Sequence, residues 1–153
     1  MSKFKIQSPI EHLPKPTLVT MFGQEYHAKL MAAWNWKSVD IDDGWYYYPS
    51  WEDWGKIFLH VQKNLPKYVP DIFDCDNFGF YIAVMVSKDF GCNTCNVVEG
   101  MADVGRGILE RHKWNVFFDG VGFYQLESQK YVPMTDISDL TNPKYIPEEI
   151  IAF

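Results

Sequence analysis

The chain has 153 residues, 47% of them hydrophobic and 17% aromatic, which is enough apolar material for one compact domain with a real core. Its net charge is −6 and its lysines and arginines are scattered, which argues against a nucleic-acid partner, because phosphate contacts need clustered cations. No run of about 18 apolar residues occurs, so no membrane span is predicted.

The first part of the chain is predicted to hold an arm and one helix. Its early prolines indicate an extended arm over residues 1–20. Helix formers with apolar residues at helical spacing predict a helix over 21–36. The acidic segment 40–44 lacks the closing glutamate of a calcium loop, so we interpret it as a turn. The aromatic residues that follow over 45–54 are interpreted mainly as core, with a groove wall as the alternative.

Two further helices are predicted from their caps. Ser50 is a good N-cap for a helix over 51–64, which has acidic residues in its first turn and an apolar stripe. Asp74 is the N-cap of the next helix, and Gly91 closes it. Cys75 therefore lies on the first helical turn, where the apolar face of the helix meets its N-terminus.

Beyond this helix the hydrophobic pattern has period two, which predicts strands. The segment 97–105 contains glycines that suggest a bulge. The segments 112–118 and 122–128 form a hairpin around Asp119-Gly120, a strong turn signal. The proline-rich tail is predicted to hold one more strand and a terminal turn.

The hairpin brings a histidine and a glutamate to one face of the predicted sheet. A two-residue turn pairs His112 directly with Glu127. A four-residue loop pairs His112 with Gln129 and keeps Glu127 on the same face, one diagonal away, whereas a three-residue loop without a bulge puts Glu127 on the opposite face. With either of the first two turns, Glu127 orients the imidazole and the other ring nitrogen faces Cys75.

The neighbours of Cys75 oppose its activation. Asp74 and Asp76 flank the thiol and favour its protonated form, so a positive charge must offset them. An imidazolium at His112 and the helix N-terminus are expected to do so. The predicted chemistry is nucleophilic acyl transfer, in which a thiolate attacks a carbonyl and His112 protonates the leaving group.

These residues resemble a known family. A cysteine at a helix start within D-C-D-N-F, a histidine in H-K-W-N at a strand start and a glutamate on the next strand are similar to the papain-like cysteine protease domain at the C-terminus of a mushroom agglutinin, which has short relatives in bacteriophages. The resemblance covers residues 50–130. It implies that Cys75 is the nucleophile, His112 the general base and acid, and Glu127 the orienting group.

The chain departs from the family pattern at two positions. Ser128 stands where relatives have proline in an E-P-Q pattern, and Arg111 stands where glycine usually precedes the histidine, which narrows access to the site. The agglutinin member depends on calcium, and this resemblance is the one reason to expect that the present chain binds calcium. The residues themselves predict no cofactor and no metal-binding site.

The donors that would stabilise an oxyanion stay open. Papain has a glutamine a few residues before its cysteine, but residues 67–74 contain no amide side chain. The backbone N–H of Cys75 is one candidate. The candidate side chains for contacting the substrate or the oxyanion are Gln62, Asn64, Trp114 and Gln129.

Other residues that often carry chemistry are interpreted as structural. Cys92 and Cys95 have the spacing of a zinc or redox element, but no second cysteine pair or nearby histidine pair completes a four-ligand site. His12, His27 and His60 have no predicted partners. Structural roles are therefore favoured for all five residues.

The expected fold is α+β and papain-like, with a nucleophile-bearing helix packed on an antiparallel β-sheet. We expect a single domain over 1–153, with an N-terminal arm and helix over 1–49, a catalytic core over 50–130 and a C-terminal extension over 131–153. The expected function is a cysteine hydrolase that cleaves peptide or protein substrates. The alternatives are a peptidoglycan amidase or endopeptidase, and a non-catalytic phage-associated binding or structural protein.

The expected location follows from the N-terminus and the cysteines. The first residues lack the apolar segment of a secretory signal, and three cysteines are too few for a disulfide framework. We therefore expect a cytoplasmic protein, or one of the host cytoplasm or the virion if a phage encodes it.

Overall fold

The computed structural model describes residues 15–40, 43–103, 105, 107–129 and 137–151. The helices in these ranges are α1 (Gly23–Ala33), α2 (Trp51–Lys63) and α3 (Cys75–Phe90). The strands are β1 (Val19–Phe22), β2 (Ser38–Asp40), β3 (Trp45–Tyr48), β4 (Cys95–Asp103), β5 (Leu109–Phe118), β6 (Phe123–Leu126), β7 (Ile137–Asp139) and β8 (Tyr145–Ile151).

The strands form one large sheet and one small sheet. The large sheet has the order β2-β8-β4-β5-β6-β7, and β1 pairs with β3 in the small one. The predicted α+β class is confirmed. The predicted antiparallel pairing is present from β8 to β7, which includes the strand that carries His112, whereas β2 at the edge runs parallel to β8.

Apolar side chains cover both faces of the large sheet. Since side chains alternate along a strand, β5 contributes Trp114, Val116 and Phe118 to one core and Phe117 to the other. The first core also receives residues of α1 and the small sheet: Tyr26, Leu30 and Tyr46. The second receives residues of α2 and α3: Trp54, Ile57, Phe58, Val61, Ile82, Val86 and Phe90.

The predicted caps of α2 and α3 are confirmed. The backbone N–H of Asp53 donates to the Ser50 side chain at 3.2 Å. The backbone N–H of Asp74 donates to Asn77 Oδ1, also at 3.2 Å, which is one half of a capping box. Gly91 ends α3 with a φ of 72°, a conformation that favours glycine.

The C-terminal segment is part of the sheet, not an extension of it. The predicted single strand with a terminal turn is wrong, because the tail contributes both β7 and β8, and β8 lies between β2 and β4. Pro147 makes this strand difficult to predict from the sequence, since proline cannot donate a hydrogen bond to a neighbouring strand. The register shift between Glu99 and Gly100 of β4 accommodates it, with Gly100 opposite Pro147.

Several predictions fall on residues outside the described ranges. They include most of the N-terminal arm, His12 and the segment between Gln129 and Ile137. The aromatic residues over 45–54 are divided, with Tyr46 and Trp54 in the core and Trp45 exposed.

Among the described helices, none has both the length and the apolar character needed to cross a lipid bilayer.

Candidate active site

The β5–β6 hairpin closes with a four-residue loop. Phe118 pairs with Phe123, so the two-residue alternative is wrong and the four-residue alternative is confirmed. Asp119 stabilises this loop, because its Oδ1 accepts from the backbone N–H groups of Val121 at 2.8 Å and Gly122 at 2.9 Å.

The difference in length between the two strands creates the site. In the described residues β6 pairs with β5 only from Asn115 to Phe118, and β6 ends at Leu126. The part of β5 that carries His112 therefore extends beyond its neighbour. Glu127 directly follows the end of β6, at the position from which its side chain reaches His112.

Glu127 holds the imidazole through Nε2. This nitrogen lies 3.0 Å from Oε2 and 3.2 Å from Oε1 of Glu127, and because a carboxylate only accepts, Nε2 carries the hydrogen. Both His112 and Glu127 are buried. The predicted contact between these two side chains is present, and it leaves Nδ1 as the ring nitrogen for Cys75.

Two further donors stabilise the Glu127 carboxylate. The Tyr145 hydroxyl donates to Oε2 at 3.0 Å, and the backbone N–H of Gln129 donates to Oε1 at 3.3 Å. Burial raises the pKa of Glu127, but the His112 hydrogen bond and charge and these two donors lower it below its ordinary value. Tyr145 was missed by the sequence analysis, since it lies on β8, the strand that the proline concealed.

Trp114 supports the imidazole and does not face a substrate. Its ring stacks on His112 with centroids 6.0 Å apart and an interplanar angle of 18°. The indole is fully buried, and its Nε1–H donates to Gln125 Oε1 at 2.9 Å. The prediction that Trp114 contacts the substrate or the oxyanion is therefore wrong, because its one donor is engaged inside the protein.

Cys75 and His112 meet in a small, open cleft at the surface. The cleft is lined by Cys75, Asp76, Glu99, Arg111, His112 and Lys113. Burial lowers the pKa of His112, but hydrogen bonds to Cys75 and Glu127 and the charges of both outweigh it and raise the pKa from 6.5 to about 9. The imidazole is thus paired on both sides and favours its charged form.

The two aspartates beside Cys75 both have partners. Asp74 is the N-cap of α3, where backbone N–H groups offset its charge. Asp76 pairs with Lys113 of β5, with Nζ 3.1 Å from Oδ1. Among the described residues, His112 pairs with Cys75 and Lys113 pairs with Asp76, and the sequence analysis missed the lysine.

Asn115 fixes α3 against the sheet. Its Nδ2 donates to the carbonyl of Gly79 on α3 at 2.9 Å and to that of Asn96 on β4 at 3.2 Å. Its Oδ1 accepts from the Ser128 hydroxyl at 2.6 Å. Through Asn115, Ser128 therefore joins the segment after β6 to the helix that carries Cys75.

The predicted amide donors lie away from the cleft. Asn64 is exposed at the end of α2, and its side-chain nitrogen donates to the His60 carbonyl at 2.9 Å. Gln62 lines a different small cavity, which is bordered by α2, α3 and the end of β6 and which Glu127 also lines. The backbone N–H of Gln129 donates to Glu127, so this residue supports the Glu127 carboxylate.

The other cysteines belong to the core. Cys92 and Cys95 are both buried and both free. Burial raises the pKa of Cys92 to about 12 and that of Cys95 well above its ordinary value. Neither thiol is therefore poised for redox or nucleophilic chemistry, which agrees with the predicted structural role.

The residues around Cys75 do not fit a calcium ion. Ligand atoms of Asp74, Cys75 and Asp76 lie within 4.8 Å of one another. Calcium takes six to eight oxygen ligands, whereas one of these three atoms is a sulfur and Asp76 Oδ1 is already paired with Lys113.

Solved structures show where this fold is found. No family model and no curated protein matches the chain. A structure described as "PSL1a-E64 complex" is 22% identical, with a TM-score of 0.59, over 86% of this chain and 50% of that one. The Polyporus squamosus lectin, solved with the human-type influenza-binding epitope Neu5Aca2-6Galb1-4GlcNAc, is 20% identical, with a TM-score of 0.52, over 78% and 48%.

These likenesses establish the fold. The chain shares its fold with half of a mushroom lectin. This supports the predicted resemblance to a mushroom agglutinin. The chain spans about half the length of these solved chains. At this level of identity, a shared fold does not indicate a shared activity.

Proposed function

We propose that this protein is a papain-like cysteine hydrolase that cleaves amide bonds in peptide or protein substrates. The observation that carries the proposal is the placement of His112, held by Glu127 through Nε2 and paired with Cys75 at the mouth of a cleft. A nucleophile, a base and a group that orients the base are the three parts that acyl transfer requires.

The first half of the reaction forms an acyl-enzyme. The thiol proton of Cys75 moves to Nδ1 of His112, and the thiolate attacks the carbonyl carbon. The first N–H groups of a helix have no partner inside the helix, so the backbone N–H of Cys75 is the candidate donor to the oxyanion. The carbon–nitrogen bond then breaks, and His112 gives its proton to the leaving amine.

The second half releases the product. His112 takes a proton from a water molecule, which attacks the thioester carbonyl. The carbon–sulfur bond breaks, the acid leaves and Cys75 returns to the thiolate. Throughout, Glu127 stays ionised and stabilises the imidazolium, because its lowered pKa keeps it charged.

A second candidate function is binding without catalysis. The likeness to the Polyporus squamosus lectin favours it, since that protein was solved with a sialylated glycan. However, the glycan contacts of a chain twice as long need not lie in the matched half. The charged cleft with a paired cysteine and histidine favours the hydrolase.

The test is alkylation of Cys75 by iodoacetamide between pH 5 and 10. We expect the wild type to react at pH 6 at least about tenfold faster than His112→Ala, because an imidazolium favours the thiolate. His27→Ala, a change at an exposed histidine, is the matched control and should behave as wild type. Buried Cys92 and Cys95 should stay unlabelled in the folded protein, which makes the signal specific.

An alkylation profile that follows an ordinary thiol, with a midpoint near 8.5 in both wild type and His112→Ala, would contradict the hydrolase proposal. The substrate class is then identified by incubating wild type and Cys75→Ala with a peptide library, with purified peptidoglycan and with a glycan array, and by measuring cleavage or binding in each case. Cleavage lost in the variant identifies the substrate class. Glycan binding that Cys75→Ala leaves unchanged would favour the binding protein.

A further inference from the structure

The thiol of Cys75 has two neighbouring acceptors for its proton. One is Nδ1 of His112, which the proposed reaction requires. The other is Oδ1 of Asp76, which lies 3.6 Å from the Cys75 sulfur in hydrogen-bonding geometry. An unpaired carboxylate in this place would accept a hydrogen bond from the protonated thiol and repel a thiolate, so it would make the cysteine less reactive.

Lys113 acts on the competing acceptor. Its Nζ lies 3.1 Å from the same Oδ1 of Asp76 and 3.1 Å from Oε2 of Glu99. The lysine side chain is only 19% exposed, compared with 55% for Asp76, so the cation is the better shielded partner of this pair. Burial lowers the pKa of Lys113, but hydrogen bonds to Glu99 and Asp76 outweigh it and keep the side chain charged.

The position of Lys113 follows from strand geometry. It is the neighbour of His112 on β5, and successive side chains of a strand point to opposite faces. One strand segment therefore supplies the base on one face and an ammonium on the other. Because α3 begins beside this segment, both groups reach residues of its first turn, His112 at Cys75 and Lys113 at Asp76.

The remaining charged groups around the cleft are already paired. Arg111 forms ion pairs with Glu99 and with Glu148 of β8. Glu148 also pairs with Lys37. Together with Asp74 at the helix cap and Glu127 on the imidazole, these are the charged side chains that the described parts of α3, β4, β5, β8 and the residues 127–129 bring to the cleft or to its ion pairs. Within this set Lys113 is the cation in contact with Asp76.

We propose that Lys113 is a positioning residue for the reaction of Cys75. By neutralising Asp76, it leaves His112 as the acceptor of the thiol proton and removes a repulsion from the thiolate. Lys113 itself neither attacks nor transfers a proton. This inference rests on the proposed hydrolase function and answers how a cysteine between two aspartates can act as a nucleophile.

The experiment is the pH profile of Cys75 alkylation in a series of variants. We expect Lys113→Met to lower the ratio of the alkylation rate at pH 6.5 to that at pH 9.5 by about tenfold compared with wild type. A rise of one pH unit in the midpoint of the profile lowers the thiolate fraction well below that midpoint by a factor of ten. Lys113→Arg should retain most of the wild-type rate. Lys88→Met, a change at an exposed lysine near the other end of α3, is the matched control and should leave the profile unchanged.

The decisive variant is the double change Lys113→Met with Asp76→Asn. If Lys113 acts by neutralising Asp76, removing that carboxylate should restore the low-pH rate that Lys113→Met loses, because the two changes are coupled. A merely structural role of Lys113 would give no such rescue, and thermal melting of each variant establishes that it is folded. An unchanged profile in Lys113→Met, or no rescue in the double variant, would overturn the inference.

The failure of this inference differs from failure of the proposed function. If His112→Ala removes the low-pH reaction while Lys113→Met does not, the hydrolase proposal stands and the role of Lys113 is wrong. If His112→Ala leaves the profile unchanged, the proposed function itself is wrong.

Discussion

The Tyr145 hydroxyl and the His112 ring converge on one oxygen of Glu127, each at 3.0 Å from Oε2. They come from two strands of the same sheet, β8 and β5, and all three side chains are buried. The tyrosine fixes the carboxylate and the carboxylate fixes the imidazole. The orientation of His112 therefore depends on a residue 33 positions along the chain.

Titration of His112 tests the charge state of the pair. The pKa of His112 is raised from 6.5 to about 9, so the folded protein holds this proton more tightly than the unfolded chain. The resulting stabilisation, at most about 3 kcal/mol, is fully present below pH 6.5 and is lost as the pH rises through 9. NMR of the imidazole resonances should give a midpoint near 9, and Glu127→Gln should lower it. A wild-type midpoint near 6.5 would contradict this prediction.

The Tyr145 hydroxyl should contribute to the reactivity of Cys75 through Glu127. We expect Tyr145→Phe to slow alkylation at pH 7 by up to about tenfold, since a hydrogen bond to a charged group contributes about 1.5 kcal/mol. Glu127→Gln should slow it more, because it removes the charge that stabilises the imidazolium. Tyr124→Phe, on the α2 side of the sheet, is the control and should react as wild type. Equal rates in Tyr145→Phe and wild type would show that the contact is dispensable.

Asn115 should be important for stability. Asn115→Ala leaves the carbonyls of Gly79 and Asn96 and the Ser128 hydroxyl without this partner in a buried place. We expect the free energy of unfolding in urea to fall by about 3 kcal/mol, because unsatisfied buried polar groups cost about 1–3 kcal/mol each and partly find new partners. Ser128→Ala removes only one of these bonds and should cost about 1 kcal/mol. Similar losses in both variants would mean that the helix contact contributes little.

Gly100 should tolerate no side chain. A Cβ at this position would lie 2.2 Å from the Ile146 carbonyl oxygen and 3.0 Å from the Trp114 ring, which itself stacks on His112. We expect Gly100→Ala to lower the free energy of unfolding by about 3 kcal/mol or more and to slow Cys75 alkylation. At Gly44, where an added Cβ meets nothing within 4 Å, the same change should have little effect on either measurement. Comparable stability of the two variants would contradict the close approach of β4 and β8.

The local features of this protein can be predicted from its sequence. The caps at Ser50 and Asp74, the stop at Gly91 and the shared face of His112 and Glu127 all depend on residues a few positions apart, or on one hairpin. Helical and strand periods act over such distances, so they are visible in the chain itself. For the hairpin, the sequence left two registers that bring the pair together, and the capping of the loop by Asp119 selected one.

The order of the strands was decided by tertiary structure alone. Placing β8 inside the sheet brings Tyr145 to Glu127 and Glu148 to Arg111, and packing α3 against β5 brings Lys113 to Asp76. These partners lie 18 to 37 residues apart, and no periodic pattern relates them. The residue types that the proposed reaction needs are therefore visible in the sequence. The hydrogen bonds and ion pairs around Cys75 form only when distant strands and helices pack together.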